Sequence, residues 1–338
     1  MEQDPQGKLV STWEAITKDD EGEAHIHTLH KYDHTIPEEV PDFINQAAPT
    51  RITPSRRSKA SRVDELAILF PDAQIPFHDP RALQLAHLAV RELQPDRIIM
   101  LGDMMDFPAQ SRFDTHPSHH QLIQSQLDQT HQMLAQVRAD APDARIDYIP
   151  GNHEYRLNKD IIQKNAELLG IKRANAASEL GVLTLEFLLR MQELEVDMAG
   201  QYPNGGVWLN DHTVAIHGDT AASNGSTSLK YLIKNPNVST IHGHSHRAEI
   251  QWRTTASYSG PVQRFAMSPG TLADTSGSVP SYGSSISEEG HPEVRVENWQ
   301  QAVGLVEYNS EMANPELAMI ANGIIRIRGN SYEIPRSD

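Results

Sequence analysis

Five short apolar runs in this chain lead into the same kind of turn, one bearing glycine or proline beside a carboxylate, an amide or an imidazole. Leu66–Phe70 leads to Asp72-Ala73-Gln74, and Arg97–Leu101 to Gly102-Asp103-Met104-Met105-Asp106. Arg145–Ile149 leads to Gly151-Asn152-His153-Glu154, Thr213–Ile216 to His217-Gly218-Asp219, and Val238–Ile241 to Gly243-His244-Ser245-His246. Runs this short and this apolar read as buried strands. Helical patterns lie between them: Arg81–Leu93 with Pro80 at its first position, Ser118–Ala139, Asn158–Leu169, Leu183–Leu194 and Leu229–Lys234. Glu249–Thr254, Gln263–Met267, Val303–Tyr308 and Gly323–Arg328 read as further strands, and the Gly/Ser-rich Ser276–Gly290 as a loop. Such alternation predicts a layered α/β domain whose polar groups collect beyond strand C-termini, where sheets of this kind gather ligands.

His244 and His246 stand two apart at the mouth of a strand, so extended backbone puts both imidazoles on one face. The chain has 17 histidines and no cysteine, which confines any metal chemistry to imidazole and oxygen donors and excludes disulfides and a thiol nucleophile. Cysteine-free composition suits the cytoplasm. No apolar run approaches a membrane span, and no basic-then-apolar leader pattern opens the sequence. A net charge of −16 argues against nonspecific nucleic-acid binding over the whole surface, though not against a local groove.

Residues 1–65 differ from the rest. They are polar and acidic, with histidines at His25, His27, His30 and His34, a weak helical pattern over Pro37–Gln46 and a basic stretch over Ser55–Arg62. They are expected to form a solvated extension and linker, with the main domain over 66–330 and a tail over 331–338.

The ordered set Asp72-x-Gln74, Gly102-Asp103-x-x-Asp106, Gly151-Asn152-His153-Glu154, His217 and Gly243-His244-x-His246 resembles the calcineurin-like metallophosphoesterase superfamily. That family carries D-x-H, G-D-x-x-D, G-N-H-E/D, a lone histidine and G-H-x-H in this order. The likeness spans Leu66 to Arg328 and departs at Gln74, where most members have histidine; the glutamine variant resembles phage-type members. It implies a four-layer α/β fold, two mixed sheets in a sandwich flanked by helices. It also implies two divalent metal ions, Mn first, with Zn, Fe or Mg as alternatives.

By position, the resemblance gives Asp72, Gln74, Asp103 and His246 to one metal and Asp103, Asn152, His217 and His244 to the other, with Asp103 as the bridge. His78 is the alternative to Gln74. His153 is the catalytic acid–base residue and Glu154 its orienting partner. Asp106, Arg112, Arg156 and Arg247 are expected to support the ligands or grip phosphate. His116, His119 and His120 are read as solvent-exposed, Trp252 as packed inward, and Ser268–Thr271 as a structural turn. The implied activity is hydrolysis of a phosphate ester by metal-bound hydroxide, a phosphodiester of DNA, RNA or a nucleotide being preferred. A phosphomonoesterase and a non-catalytic interaction module on the same fold are the alternatives.

Overall fold

The computed structural model describes residues 8–18, 24–33, 64–108, 123–176, 179–222, 226–258, 260–277, 279, 285–286, 292–293 and 296–335. The chain divides into two compact units, Met1–Ile52 and Thr53–Asp338. In the first, β1 (Lys8–Lys18) and β2 (Ala24–Asp33) form an antiparallel pair. The sequence showed only weak helical patterns over 1–65, so the strand pair is a correction: His25, His27 and His30 lie on a strand. The helical pattern over 37–46, the basic stretch over 55–62 and His34 lie outside the described residues.

The second unit opens on β3 (Glu65–Phe70) and continues with β4 (Arg97–Met100), β5 (Arg145–Tyr148) and β6 (Val196–Met198), which pair in parallel. On the other flank of β3, β14 (Gln301–Tyr308), β15 (Ala313–Ala321), β16 (Ile324–Ile327) and β17 (Asn330–Glu333) pair antiparallel, completing an eight-stranded sheet. The sheet therefore runs into the expected tail, since β17 is its edge strand. A second, five-stranded sheet has the order β10-β11-β9-β8-β7. Its members are β7 (Gly206–Asn210), β8 (Thr213–Ile216), β9 (Ser239–His242), β10 (Ala248–Ser257) and β11 (Gly260–Pro269). A two-residue pair, β12 (Ser285–Ile286) and β13 (Pro292–Glu293), stands apart.

Alternation along the strands explains the layering. On β3 and β4, Ile68, Phe70, Ile98 and Met100 point to one core, which α1 (Pro80–Leu93) and α2 (Ile123–Asp140) cover. Ala67, Leu69 and Ile99 point the other way, into a core shared with Val207, Ala215, Ile241, Phe265 and Met267 of the second sheet. Tyr231 and Leu232 of α5 (Thr227–Lys234) cover the far face of that sheet against Ala266. The fold is thus helix, sheet, sheet, helix, with both sheets mixed, as expected.

The helices follow local chemistry at α1. Asp79 accepts from the amides of Arg81 and Ala82, Pro80 needs no donor in the first turn, and Gln94 closes the helix in a left-handed conformation. α3 (Asn152–Lys164) starts six residues earlier than its apolar pattern suggests. Its first turn is Asn152-His153-Glu154, polar residues used by the site, and the apolar positions Leu157 and Ile161 come only afterwards. The expected helix over 183–194 shrinks to α4 (Leu185–Leu188), because Leu189 and Met191 are both buried and Arg190 turns left-handed between them.

α1 and α2 are tied through Asp140, which accepts from His87 Nδ1 and Gln136 Nε2 at 2.9 Å and from Arg91 Nη1 at 3.3 Å. Burial alone would raise this carboxyl's pKa, but hydrogen bonds from His87, Gln136 and Arg91 hold it below its ordinary value. A depressed folded pKa adds stability that is present above the unfolded value and fades as pH falls through the folded one. Asp140→Asn is therefore expected to lose about 1–3 kcal/mol at neutral pH. Urea unfolding should show the gap from wild type narrowing only once pH falls below the unfolded value of about 3.9, and closing as it falls through the depressed folded one.

At the start of this unit, Tyr308 donates to Glu65 at 2.6 Å and Asn309 to Asp64 at 2.7 Å. A chain beginning at Ser61 retains these anchors and should fold with an unchanged cooperative melt; an insoluble product would mean that residues 1–60 complete the core.

Candidate metal centre

All five sequence motifs stand beyond the C-terminal ends of strands that have a parallel neighbour: β3, β4 and β5 in one sheet, β8 and β9 in the other. The loops after β3 and β4 are stitched together by Gln74 N–H to Asp103 C=O and Ile75 N–H to Met104 C=O, both 2.8 Å, and by Asp106 N–H to Ile75 C=O at 2.9 Å. Thr271 Oγ1 donates to the Asp72 carbonyl at 2.7 Å, so the 268–271 turn braces the first loop.

Two donor clusters result. Asp72, Asp103 and His246 form one, and Asp103, His217 and His244 the other; within each, candidate ligand atoms lie within 4.8 Å of one another. Asp103 belongs to both. In the first, His246 Nε2 is 3.3 Å from Asp72 Oδ1 and 3.2 Å from the Gln74 amide nitrogen. In the second, His217 Nε2 is 3.3 Å from Asp103 Oδ2 and 3.1 Å from Asn152 Oδ1. His217 Nδ1 donates to the Leu101 carbonyl at 2.8 Å, which turns Nε2 toward the cluster. His78 is in neither cluster, although its Nδ1 is buried without a partner.

The residues fit a pair of divalent cations. Donors are hard oxygen and imidazole nitrogen, a set suited to Mn, Zn, Fe or Mg. Gln74 Oε1 is buried without a hydrogen-bond partner, and a half-turn of the amide would bring it to the position facing His246. Five of these residues (Asp72, Gln74, Asp103, His244 and His246) hold positive φ, between 29° and 65°. Non-glycine residues adopt this region at a cost of order 1–3 kcal/mol each and persist there only when their surroundings impose it.

The space is equally determined. A Cβ at Gly151 would lie 2.1 Å from Asp103 Oδ1, and one at Gly243 2.7 Å from Asp72 Oδ2. Glycine at these positions lets two backbone segments pass against the carboxylates.

Charge balance follows from the packing. Burial would raise the Asp103 pKa, but attraction to His153, His217 and His244 holds it far below the carboxylate range. Burial would lower that of His217, but Asp103 dominates and pushes it up to about 10. His244 falls to about 4, through burial and the charge of His217. Cation binding at these imidazoles competes with protons.

Glu154 sits differently from expectation. It is fully buried and touches no imidazole; Oε2 accepts from the amides of Asp103 (2.9 Å) and Gly151 (2.8 Å), and Oε1 from the Met105 amide (3.1 Å) and the Tyr148 hydroxyl (2.8 Å). It clasps the second motif to the third. The partner of His153 is Asp106 instead, whose Oδ1 lies 2.8 Å from His153 Nδ1. Burial would lower the His153 pKa, but Asp103 and Asp106 raise it, against Arg156.

Arg156 Nη2 lies 2.8 Å from His153 Nε2, and its Nη1 donates to the Asp106 carbonyl at 2.6 Å. Arg247 Nη1 donates to the Ala222 carbonyl at 2.7 Å, on the loop after His217. Arg112 and the histidines at 116, 119 and 120 lie outside the described residues. Trp252, expected to pack inward, is 54% exposed, while Phe265 opposite it on β11 is buried. Sequence reading missed Tyr148, the Leu101 carbonyl and Trp299, whose ring meets that of His246 at 4.3 Å. None lies in a motif, and only the paired turn residues carried a signal.

No family model matches this chain. Among curated proteins, the Gene 54 protein of Mycobacterium phage D29 is 25% identical over 272 residues, covering 79% of this chain and 98% of its own length. The Gene 54 protein of Mycobacterium phage L5 is 23% identical over 271 residues, with the same coverage. Solved structures that align with it include a phosphoesterase, YfcE, from E. coli, at 11% identity and a TM-score of 0.32, covering 72% of this chain and 90% of that one. Vacuolar protein sorting 29 from Cryptosporidium parvum aligns at 12% identity and 0.34, covering 81% and 100%. A dimetal phosphatase from Danio rerio aligns at 11% identity and 0.29, covering 75% and 95%. Identities and scores this low carry no function across, so the chemistry has to be read from the residues themselves.

If Gln74 turns its amide oxygen inward as a ligand, the first cluster is richer in oxygen than the second. The two should therefore differ, the second holding its ion more tightly and the first exchanging readily. Gln74→His should tighten the weaker step in a calorimetric Mn²⁺ titration of metal-stripped protein. Two equally tight sites in the wild type, or no tightening in the variant, would remove Gln74 from the ligand set.

Proposed function

We propose that this protein is a metal-dependent hydrolase of phosphate esters and prefers phosphodiesters, with nucleic acid or nucleotides as its substrate class. The observation that carries the reading is the sharing of Asp103 by two donor clusters, with His153 beside both and part of neither. Asp72, Gln74, Asp103 and His246 would hold one cation, and Asp103, Asn152, His217 and His244 the other, Mn being preferred. Two such cations supply neutralisation of the phosphoryl oxygens and a water acidified for in-line attack.

The chain's own residues divide the remaining work. His153 delivers a proton from Nε2 to the leaving oxygen, and Asp106 at Nδ1 keeps the ring turned toward it. Arg156 covers Nε2 in the free protein. A phosphoryl anion offers its guanidinium a bidentate partner, so substrate draws Arg156 off Nε2, and that nitrogen, an acceptor until then, takes from solvent the proton it goes on to deliver. Glu154 holds the loops of Asp103 and Gly151 in register. The retention of His153 with an orienting carboxylate favours an enzyme over an interaction module on this fold. The net charge of −16 favours a phosphomonoesterase as the second reading.

Turnover of bis-(p-nitrophenyl) phosphate against p-nitrophenyl phosphate, with Mn²⁺ added, separates the two. Single- and double-stranded DNA and RNA complete the panel, and activity on none of these would sink the proposal. His153→Ala should lower kcat by roughly 10²–10⁴-fold. Its metal content, read by elemental analysis, should stay at the wild-type level, and the loss should shrink for leaving groups that need no proton. A variant that loses its metals would make His153 a ligand instead.

A further inference from the structure

Beside the metal centre lies an open cleft that the mechanism above does not use. Pro150 and Glu154, of the third motif and its approach, form its inner wall. Tyr155 and Tyr202 line it too, their rings 5.9 Å apart and tilted by 40°. Tyr202 also stands edge-on to His217 at 6.1 Å, so the aromatic wall begins where the second donor cluster ends. Tyr155 is 37% exposed, so part of its side chain is open to solvent. Leu185 and Met198 add apolar surface, and Asn158, Gln201 and Glu186 bring polar side chains to the lining.

We propose that this cleft seats the heterocyclic base of the substrate, a nucleotide or a nucleotide unit of a nucleic acid; this rests on the phosphoesterase reading and narrows its substrate class. Three properties select that occupant. Tyrosine faces stack planar rings of any base sequence. None of the lining residues is cationic, so the cleft is no second phosphate seat and suits the uncharged end of a phosphate ester. Amides with both donors and acceptors suit base edges, and the Glu186 carboxylate accepts from an exocyclic amino group as carboxylates do from cytosine. The cleft therefore favours adenine, cytosine or guanine over bases without an amino group. Adjacency to His217 gives the required continuity, with phosphate over the metal ligands and base on the tyrosines.

The test uses the full chain loaded with Mn²⁺ and measures both binding and turnover. Calorimetry compares adenosine monophosphate with ribose phosphate, and hydrolysis compares the methyl phosphodiesters of the same two compounds. Wild type should favour the base-bearing member by roughly 5- to 100-fold, the range of one stacked base. Tyr155→Leu and Tyr202→Leu should each erase most of that preference, and Tyr202→Phe should keep it. Glu186→Gln, at a partly exposed position, should weaken adenosine relative to inosine monophosphate without loss of stacking. Equal binding of the two phosphates by wild type would overturn the proposal, as would an undiminished preference in both leucine variants. Ester turnover with no preference for the base would remove the cleft's role and leave the hydrolase standing. A base preference that the variants abolish, with no ester turned over, would keep the cleft and remove the hydrolase.

Discussion

The Asp103 carboxylate is the constraint on which the rest of the centre depends. It is the one group common to both donor clusters, so both sites are defined by where its two oxygens stand. Oδ1 accepts the His153 amide at 2.8 Å, and Oδ2 faces His217. Its backbone is held in a left-handed conformation that few non-glycine residues adopt, and its surroundings compel it. The compulsion comes from Glu154, which binds the amides of Asp103 and Gly151 with a single oxygen, and from Gly151, whose missing side chain leaves the carboxylate its space. A buried carboxylate that accepts four hydrogen bonds is fully satisfied, and this one works as a clasp rather than as a reactive group.

The sandwich supplies what neither sheet has. The eight-stranded sheet ends in Asp72, Asp103 and Asn152, and the five-stranded sheet in His217, His244 and His246. Oxygen donors thus come from one layer and nitrogen donors from the other, and the shared core of Leu69, Ile99, Ile241 and Met267 sets the distance between them. The His244 amide on Asp72 at 3.0 Å and the His217 ring on the Leu101 carbonyl are among the direct ties across the gap. Substitutions in that core would act on metal binding without touching a ligand, because close-packed interiors transmit small displacements.

Outside the ligands, an ordered chain of contacts runs from Asp106 to His153 to Arg156, and the tyrosine-lined cleft opens beyond Glu154 on the same side as α3. One helix thereby carries a candidate ligand, the acid–base candidate, the clasp, the guanidinium and the first aromatic, at Asn152, His153, Glu154, Arg156 and Tyr155. A helix is a stiff mount, and its start directly after β5 fixes these side chains relative to Asp103.

Much of this was legible in residue order alone. Strand ends are announced by a change from apolar run to turn residue, and β8 ran as read, from Thr213 to Ile216. The motif residues fell at those ends, since a side chain past a strand terminus is free to face a ligand while one inside the strand is committed to the core. What sequence could not supply was partnership. Which carboxylate meets His153 depends on how the second loop folds over the third, and the family likeness pointed to Glu154 where the packed chain uses Asp106. The start of α3 was hidden because its first turn is polar for the site's sake. β15 was missed because Pro315 reads as a breaker, although its neighbours Asn314 and Glu316 pair with Glu307 and Leu305. Tyr148 and Tyr202 carry no motif at all; they enter the site only because the β5 strand and the loop after β6 are brought against it. Periodicity and turn chemistry are local and can be read from order. Contacts between loops of two different sheets are set by core packing, and that packing exists only once the chain has folded.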